Sequence, residues 1–201
     1  MITIVDYGVG NLGSIVNMFK RVDVPVRVTG DVHELTEATK ILLPGVGAFD
    51  HAMQRIQDSG LREILDRKAL VEKIPVLGVC LGMQLMTRDS EEGVLPGLGW
   101  VDAHARRFPM MPGLKVPHMG WNVVSSAKHS LLTAGWSSES RFYFVHSYYV
   151  DLAVPSDRLL RAHHGIEFDA AFQRGNLFGA QFHPEKSHKF GMALFKNFGA
   201  L

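Results

Sequence analysis

The chain has 201 residues, 46% of them hydrophobic and 20% charged, which is typical of one globular domain with a sizeable core, and we predict a single domain over residues 1–201. Its 21 basic and 20 acidic residues leave a net charge of +1, which argues against nucleic-acid or membrane partners recognised by bulk charge. The single cysteine excludes an internal disulfide. Met1 leads straight into a strand-like segment, with no signal peptide or transmembrane pattern, so we expect a cytoplasmic protein.

The first half of the chain alternates predicted strands and helices. Short β-branched runs predict strands, and apolar residues at helical spacing predict helices. The predicted strands cover residues 2–5, 25–29, 40–43 and 74–79, and the main predicted helices cover 12–19, 49–56 and 61–69. This order predicts an α/β fold with a mostly parallel central sheet flanked by helices, whose functional site lies at the carboxyl ends of the strands.

The second half has a different pattern, with several strand-like segments and few helical ones. These segments cover residues 100–108, 121–125, 141–150 and 158–164, followed by a hairpin of 168–173 and 177–182 and a last helix over 187–198. The turn Arg174-Gly175-Asn176 joins the hairpin strands. We therefore expect added antiparallel strands that extend or cover the parallel sheet.

Cys80 lies where a predicted buried strand gives way to a helix-like pattern. Gly78 and Gly82 flank it in the spacing G-x-C-x-G, the cysteine form of a nucleophile elbow, where a sharp turn needs residues without Cβ. The N-terminus of the following helix favours a thiolate, and the Leu81 N–H is placed to bind an oxyanion. The alternative is that Cys80 is a small buried hydrophobic residue.

Two glycine-containing loops follow other strands of the first half. In Pro44-Gly45-Val46-Gly47 the glycines allow backbone N–H groups to turn toward a ligand, which makes this loop a candidate second half of an oxyanion hole, although an ordinary turn remains open. The loop from Asp6 to Asn11 contains G-x-G-N but lacks the third glycine and the lysine of nucleotide-binding loops, so we interpret it as a tight turn lining the site.

His183 and Glu185 are separated by Pro184 directly after a predicted buried strand. Such a pair can supply a base and the carboxylate that orients it, and Cys80 is a compatible nucleophile upstream. The alternative is an ordinary surface pair, since the chain has 10 histidines. No set of residues has metal-ligand spacing, so we expect no metal and no cofactor.

Together, three motifs resemble the signatures of class I, or triad-type, glutamine amidotransferases, a family with a flavodoxin-like fold. They are Pro44 to Gly47, Gly78 to Gln84 and Phe182 to Glu185. Within that family the chain most resembles the glutaminase subunits of imidazole glycerol phosphate synthases. That closer resemblance comes from the segments DYGVGN at 6–11, PHMGWN at 117–122, YFVHSY at 143–148 and the HPEKS ending at 183–187.

The resemblance implies roles for individual residues. Cys80 attacks the side-chain amide of glutamine, His183 moves the proton and Glu185 orients His183, through a glutamyl thioester. The implied oxyanion hole consists of Leu81, Val46 and Gly47, completed after a flip of the Gly45–Val46 peptide. The implied substrate-binding residues are Gly45, Gln84, Tyr143, His146 and Ser147. From the residues alone, Gln84 could equally be a helix surface residue.

The resemblance also implies a heterodimer with a (β/α)8-barrel cyclase subunit that receives the ammonia. The implied partner interface comprises Asn11, His118, Met119, Trp121, Asn122 and Lys186. Met119 and Trp121 could instead be core residues. We expect weak glutaminase activity alone and stimulation by the ligand-loaded cyclase.

Three other functions remain open at this point. A related amidotransferase subunit supplies ammonia for surface-polysaccharide sugar precursors, and the segments 100–108 and 109–117 could carry that partner specificity. A cysteine hydrolase or peptidase also uses an elbow cysteine, although the 44–47 loop and Gln84 favour a glutamine pocket. A non-catalytic module is the third, which the presence of Cys80, His183 and Glu185 disfavours.

Overall fold

The computed structural model describes residues 1–201 as thirteen strands and six helices. The helices are α1 (Leu12–Arg21), α2 (Val32–Thr36), α3 (Phe49–Asp58), α4 (Leu61–Asp66), α5 (Leu81–Leu85) and α6 (His188–Ala200). The first strands are β1 (Ile2–Val5), β2 (Val26–Thr29), β3 (Ile41–Leu43), β4 (Val76–Val79), β5 (Asp89–Ser90) and β6 (Ala103–Arg107). The remaining strands are β7 (His118–Val123), β8 (Ser125–Ser126), β9 (Arg141–His146), β10 (Tyr148–Leu152), β11 (Arg158–His164), β12 (Ile166–Arg174) and β13 (Leu177–Ala180).

The main sheet has the order β2-β1-β3-β4-β13-β12-β10-β6-β5, with β11 and β8 attached through β12. Strands β2 to β13 along this order are parallel, whereas β12, β10 and β6 run antiparallel to their neighbours. The predicted α/β fold with added antiparallel strands is therefore confirmed. The carboxyl ends of β3, β4 and β13 meet at one edge, as expected for parallel strands.

The antiparallel strands also form a second small sheet, which the sequence did not predict in this form. The single strand expected over residues 141–150 is divided at Ser147, because β9 pairs with β7 while β10 joins the main sheet. The expected segment at 121–125 begins earlier, at His118, and the one at 100–108 begins later, at Ala103. Partner choice, a long-range property, sets these boundaries.

Side chains alternate between the two faces of the parallel strands, and each face has its own apolar cluster. Val5, Leu43 and Val76 pack with the side of α3, α4 and α5, whereas Ile4 and Leu77 pack with α1 and α6. On the second face Phe19 of α1 stacks on a phenylalanine of α6 with ring centroids 4.2 Å apart. Helices therefore cover both faces and leave the carboxyl edge of the sheet open.

Asn176 fixes the alignment of β4 and β13 at the end of the sheet opposite that edge. Its Nδ2 donates to the carbonyl oxygens of Ala69 and Ile74 at 2.9 and 2.8 Å. The Val76 N–H donates to the Asn176 carbonyl at 2.9 Å. At the other end of the two strands this register pairs Ala180 with Val79, so the residues that follow both strands emerge side by side.

None of the six helices is both long enough and apolar enough to span a bilayer.

Candidate active site

Cys80 occupies a strained turn between β4 and α5. Its φ of 53° and ψ of −111° lie outside the region that residues with a Cβ prefer. The two flanking glycines are required by close backbone approach. A Cβ on Gly78 would lie 2.6 Å from the Gly82 carbonyl oxygen, and a Cβ on Gly82 would lie 1.9 Å from the Leu43 carbonyl oxygen. The structure therefore has the local geometry expected of a nucleophile elbow.

The loop after β3 packs directly on the start of α5. A Cβ on Gly45 would lie 2.8 Å from the Gly82 nitrogen, so only glycine allows this approach. The Tyr7 hydroxyl donates to the Pro44 carbonyl and holds the loop from the other side. Burial of Tyr7 raises the pKa of its hydroxyl, which keeps that donor protonated.

Two backbone groups of this loop are available to a ligand. Neither the Val46 N–H nor the Gly47 N–H donates to another backbone group, and both residues are exposed. Gly47 has a φ of 98°, which a residue with a Cβ rarely adopts. Leu81 begins α5, where the first N–H groups have no partner within the helix.

His183 and Glu185 form a buried pair after β13. The Nδ1 of His183 lies 2.8 Å from Oε1 of Glu185, and their side chains are 4% and 3% exposed. Burial lowers the pKa of His183, but the Cys80 thiolate and the Glu185 carboxylate outweigh it, so the pKa is raised well above its ordinary value. The buried Nε2 makes no hydrogen bond within the chain. The imidazole is therefore oriented by Glu185 and electrostatically coupled to the sulfur.

A cleft of about 440 Å³ at the carboxyl edge of the sheet collects most of the predicted site residues. Eight of the residues lining it were predicted as catalytic, oxyanion-hole or substrate-binding: Val46, Gly47, Cys80, Leu81, Gln84, His146, Ser147 and His183. Cys80 is 7% exposed and lines this cleft, so its sulfur is largely buried without being cut off from it.

Three further predicted residues lie next to the cleft without lining it. Glu185 lies behind His183 and faces α1. Gly45 is buried under the loop, and Tyr143 forms a backbone bridge with His183, whose N–H donates to the Tyr143 carbonyl at 2.9 Å. The roles predicted for these residues remain predictions.

The residues predicted to face a partner fall into three groups. Lys186 lines the cleft, with its Nζ 5.7 Å from the centroid of the Tyr143 ring. Met119 and Trp121 are 63% and 45% exposed and are not core residues. Asn11 caps α1 by accepting from the Ser14 N–H at 3.4 Å. The third group, His118 and Asn122, belongs to a hydrogen-bonded chain that begins in the cleft.

That chain runs through His146 and His118 to Asn122. The Nδ1 of His146 donates to the Tyr148 carbonyl at 2.7 Å, so its Nε2 accepts from Nδ1 of His118 at 2.9 Å. The Nε2 of His118 then accepts from Asn122 at 3.2 Å. Burial lowers the pKa of His118 to about 4 and that of His146 to about 3. Both rings are therefore neutral near pH 7.

The sequence reasoning missed five residues at the cleft or the sulfur: Glu92, Pro117, Val145, Tyr148 and Gln181. Pro117, Val145 and Tyr148 are chain neighbours of predicted residues, and that adjacency was the available signal. Glu92 is brought in by a loop contact, its Oε2 accepting from the Phe49 N–H at 2.9 Å. Gln181 stands in the motif GAQFHPEKS, where its neighbours drew the attention.

Known proteins similar to this chain agree with the geometry. Residues 3–200 match the family described as glutamine amidotransferase class-I. The imidazole glycerol phosphate synthase subunit HisH of Bdellovibrio bacteriovorus is 51% identical, with 100% of each chain covered. Subunit HisH 2 of the same enzyme from Pseudomonas aeruginosa is 50% identical, with 98% of each chain covered.

Solved structures at lower identity show the same fold. A putative GMP synthase protein from Thermoplasma acidophilum superimposes with a TM-score of 0.74 at 21% identity, over 99% of this chain and 92% of that one. A PurLQS structure from Thermotoga maritima gives a TM-score of 0.71 at 16% identity, over 98% of this chain and 96% of that one. With a family match from residue 3 to 200 and relatives about 50% identical over their full length, the chain belongs to the class-I glutamine amidotransferases, as an enzyme subunit of the HisH type.

Proposed function

We propose that residues 1–201 form one glutaminase domain, the subunit of imidazole glycerol phosphate synthase that hydrolyses glutamine to glutamate and ammonia. The observation that carries this proposal is the convergence of Cys80 and His183 on one cleft, with Glu185 2.8 Å behind the imidazole. The relatives that share half of the sequence and bear this subunit's name support the same function.

The proposed reaction has two stages. His183 takes the thiol proton, the Cys80 sulfur attacks the amide carbon of glutamine, and the imidazolium then protonates the departing nitrogen as ammonia. In the second stage His183 removes a proton from water, which attacks the thioester and releases glutamate and the free thiol. The raised pKa of His183 supports this order, because the imidazolium needed for the first departure is stabilised by its neighbours.

The tetrahedral oxyanion of each stage needs donors on one side of the sulfur. We assign them to the Leu81 N–H and to the Val46 and Gly47 loop, after rotation of the Gly45–Val46 peptide. The free loop N–H groups and the close packing of this loop on α5 support the assignment. A single donor of this kind is worth roughly 3–4 kcal/mol of transition-state stabilisation. Gln84, Tyr143, His146 and Ser147 are the proposed contacts to glutamine.

Ammonia released into neutral water becomes mostly ammonium, which is not a nucleophile. We therefore propose direct transfer to a (β/α)8-barrel cyclase subunit, which forms imidazole glycerol phosphate and an aminoimidazole carboxamide ribotide in histidine biosynthesis. The exposed apolar side chains of Met119 and Trp121 support a docking face beside the cleft. A cysteine nucleophile must stay reduced, which supports the cytoplasm as the place of this reaction.

Replacement of His183 and labelling of Cys80 test the chemistry. We expect His183→Asn to lower glutamate release by about 1,000-fold or more, because nucleophile and base act as a unit. The exposed His33→Asn is the matched control and should retain wild-type turnover. A diazoketone analogue of glutamine should add its mass to the Cys80 peptide, and excess glutamine should prevent it. Labelling that glutamine does not compete would favour a peptidase or another hydrolase.

A further inference from the structure

Gln181 is a fully buried polar side chain that the mechanism above does not use. It is 0% exposed and immediately follows β13. Because β13 and β4 pair in parallel with Ala180 opposite Val79, the next residues, Gln181 and Cys80, emerge side by side. The Cys80 N–H donates to the Ala180 carbonyl at 2.7 Å and fixes this juxtaposition.

The orientation of the Gln181 amide is determined by its neighbours. Its Oε1 accepts from Nε2 of Gln84 at 3.0 Å, so its own Nε2 is the end that faces the sulfur, 3.8 Å from Sγ of Cys80. This distance is long for a hydrogen bond to oxygen, but sulfur is a larger and weaker acceptor. A negative charge on the sulfur strengthens such a bond.

The groups behind Gln181 hold it in place. Nε2 of Gln84 also donates to the Tyr148 carbonyl at 3.1 Å, and that carbonyl accepts from Nδ1 of His146 as well. His146 in turn accepts from His118 at 2.9 Å. The donors and acceptors along this chain match only when both histidine rings are neutral. The amide that faces the sulfur therefore ends a continuous, preorganised network.

We propose that Gln181 is a positioning residue for the nucleophile, one that fixes the place of the Cys80 sulfur and stabilises its negative charge before attack. This inference rests on the proposed glutaminase function. Gln181 has no access to the cleft and does not contact substrate in this arrangement, so its effect on turnover passes through Cys80.

The sharpest variant is Gln181→Glu, which keeps the shape and the oxygen that accepts from Gln84 but removes the donor toward sulfur. Gln181→Met is the second variant, since it removes the donor without introducing a charge. We expect each to lower kcat for glutamine by about tenfold or more, the order of one hydrogen bond to a charged group, with KM changed less than about twofold. Turnover is measured with the barrel cyclase subunit present.

Alkylation of Cys80 by iodoacetamide is the second readout and does not depend on glutamine. The pH at which alkylation reaches half its maximal rate should rise in both variants. Gln173→Met, in the neighbouring strand β12, is the matched control and should leave this pH unchanged. Circular dichroism and the melting temperature identify any variant that has not folded, and the other variant then decides.

Wild-type kcat and an unchanged alkylation profile in a folded Gln181 variant would overturn the positioning role, while leaving the glutaminase assignment intact. A lower melting temperature with an unchanged alkylation profile would also overturn it, because that is the result of a purely structural amide. Failure of the wild-type chain to hydrolyse glutamine, with or without the cyclase, would instead contradict the proposed function, and the alkylation comparison would still test Gln181.

Discussion

Glu92 is the one carboxylate that lines the cleft, and its position gives it a defined chemical task. Its Oε2 is held by the Phe49 N–H, which leaves a negative charge at the rim. The α-ammonium group of glutamine is the complementary charge. We expect Glu92→Gln to raise KM for glutamine by about 10- to 100-fold, the range for hydrogen bonds to charged groups, with a smaller change in kcat.

Steady-state glutamate release as a function of glutamine concentration measures this change. Glu91→Gln is the matched control, because Glu91 pairs with Arg106 and does not line the cleft. A Glu92 variant whose KM equals that of wild type would exclude the carboxylate from substrate binding.

Individual residues of the site were predictable to different degrees. Cys80 and His183 were found because their neighbours in the sequence report on the local turn that each occupies. Glu92 and Gln181 were not found, because their positions depend on which strands and loops meet in space. Gln181 reaches the sulfur through the pairing of β13 with β4, and nothing local to residue 181 announces that pairing.

At the scale of elements, the neutral pair His118 and His146 couples the stability of the β7–β9 sheet to pH. Their pKa values in the folded chain, about 4 and about 3, lie below the ordinary value of 6.5. The unfolded chain therefore binds protons first as the solution is acidified. The stabilisation is complete above pH 6.5 and is lost progressively as the pH falls toward 4.

We expect the free energy of unfolding to fall between pH 6.5 and 4.5, with each of the two histidines contributing a slope of up to about 1.4 kcal/mol per pH unit. Urea unfolding at several pH values measures the slope. His118→Phe should make it shallower, because one fewer buried imidazole is titrated. The exposed His51→Asn is the control, and an equal flattening in that variant would contradict the assignment to the buried pair.

The elements were predicted best where periodicity is local and worst where two sheets exchange strands. The repeats of α1 and of β1 were sufficient to identify both, and Asp31 caps α2 as expected by accepting from the Glu34 N–H at 3.0 Å. The break at Ser147 was missed because β9 and β10 have the same strand-like composition on either side of it. Only their different partners separate them.

At the scale of the whole molecule, one side of β7 presents an unusual apolar surface. Met119, Trp121 and Val123 are 63%, 45% and 49% exposed on one face of the strand. Large aromatic side chains at the centre of an interface dominate binding energy. We expect Trp121→Ala to weaken binding of the barrel cyclase by about 30-fold, roughly 2 kcal/mol.

Isothermal titration calorimetry with the purified cyclase measures this affinity. Leu131→Ala, which truncates a 73% exposed apolar side chain elsewhere, should bind like wild type. The same titration addresses the rival pathway. A chain that does not bind the cyclase, and whose glutaminase activity the ligand-loaded cyclase does not raise, would direct attention to the surface-polysaccharide alternative.

The amide of Asn176 has a consequence far from its own location. It bridges the ends of β4 and β13 that lie farthest from the cleft, and by doing so sets how far each strand has advanced when it reaches the other edge. Side chains on a strand point to opposite sides in alternation, so a slip of one residue there would turn the sulfur and the imidazole away from each other. A remote hairpin tip is thus a mechanical reference point for the chemistry, and damage to it would silence the enzyme without touching any group that handles glutamine.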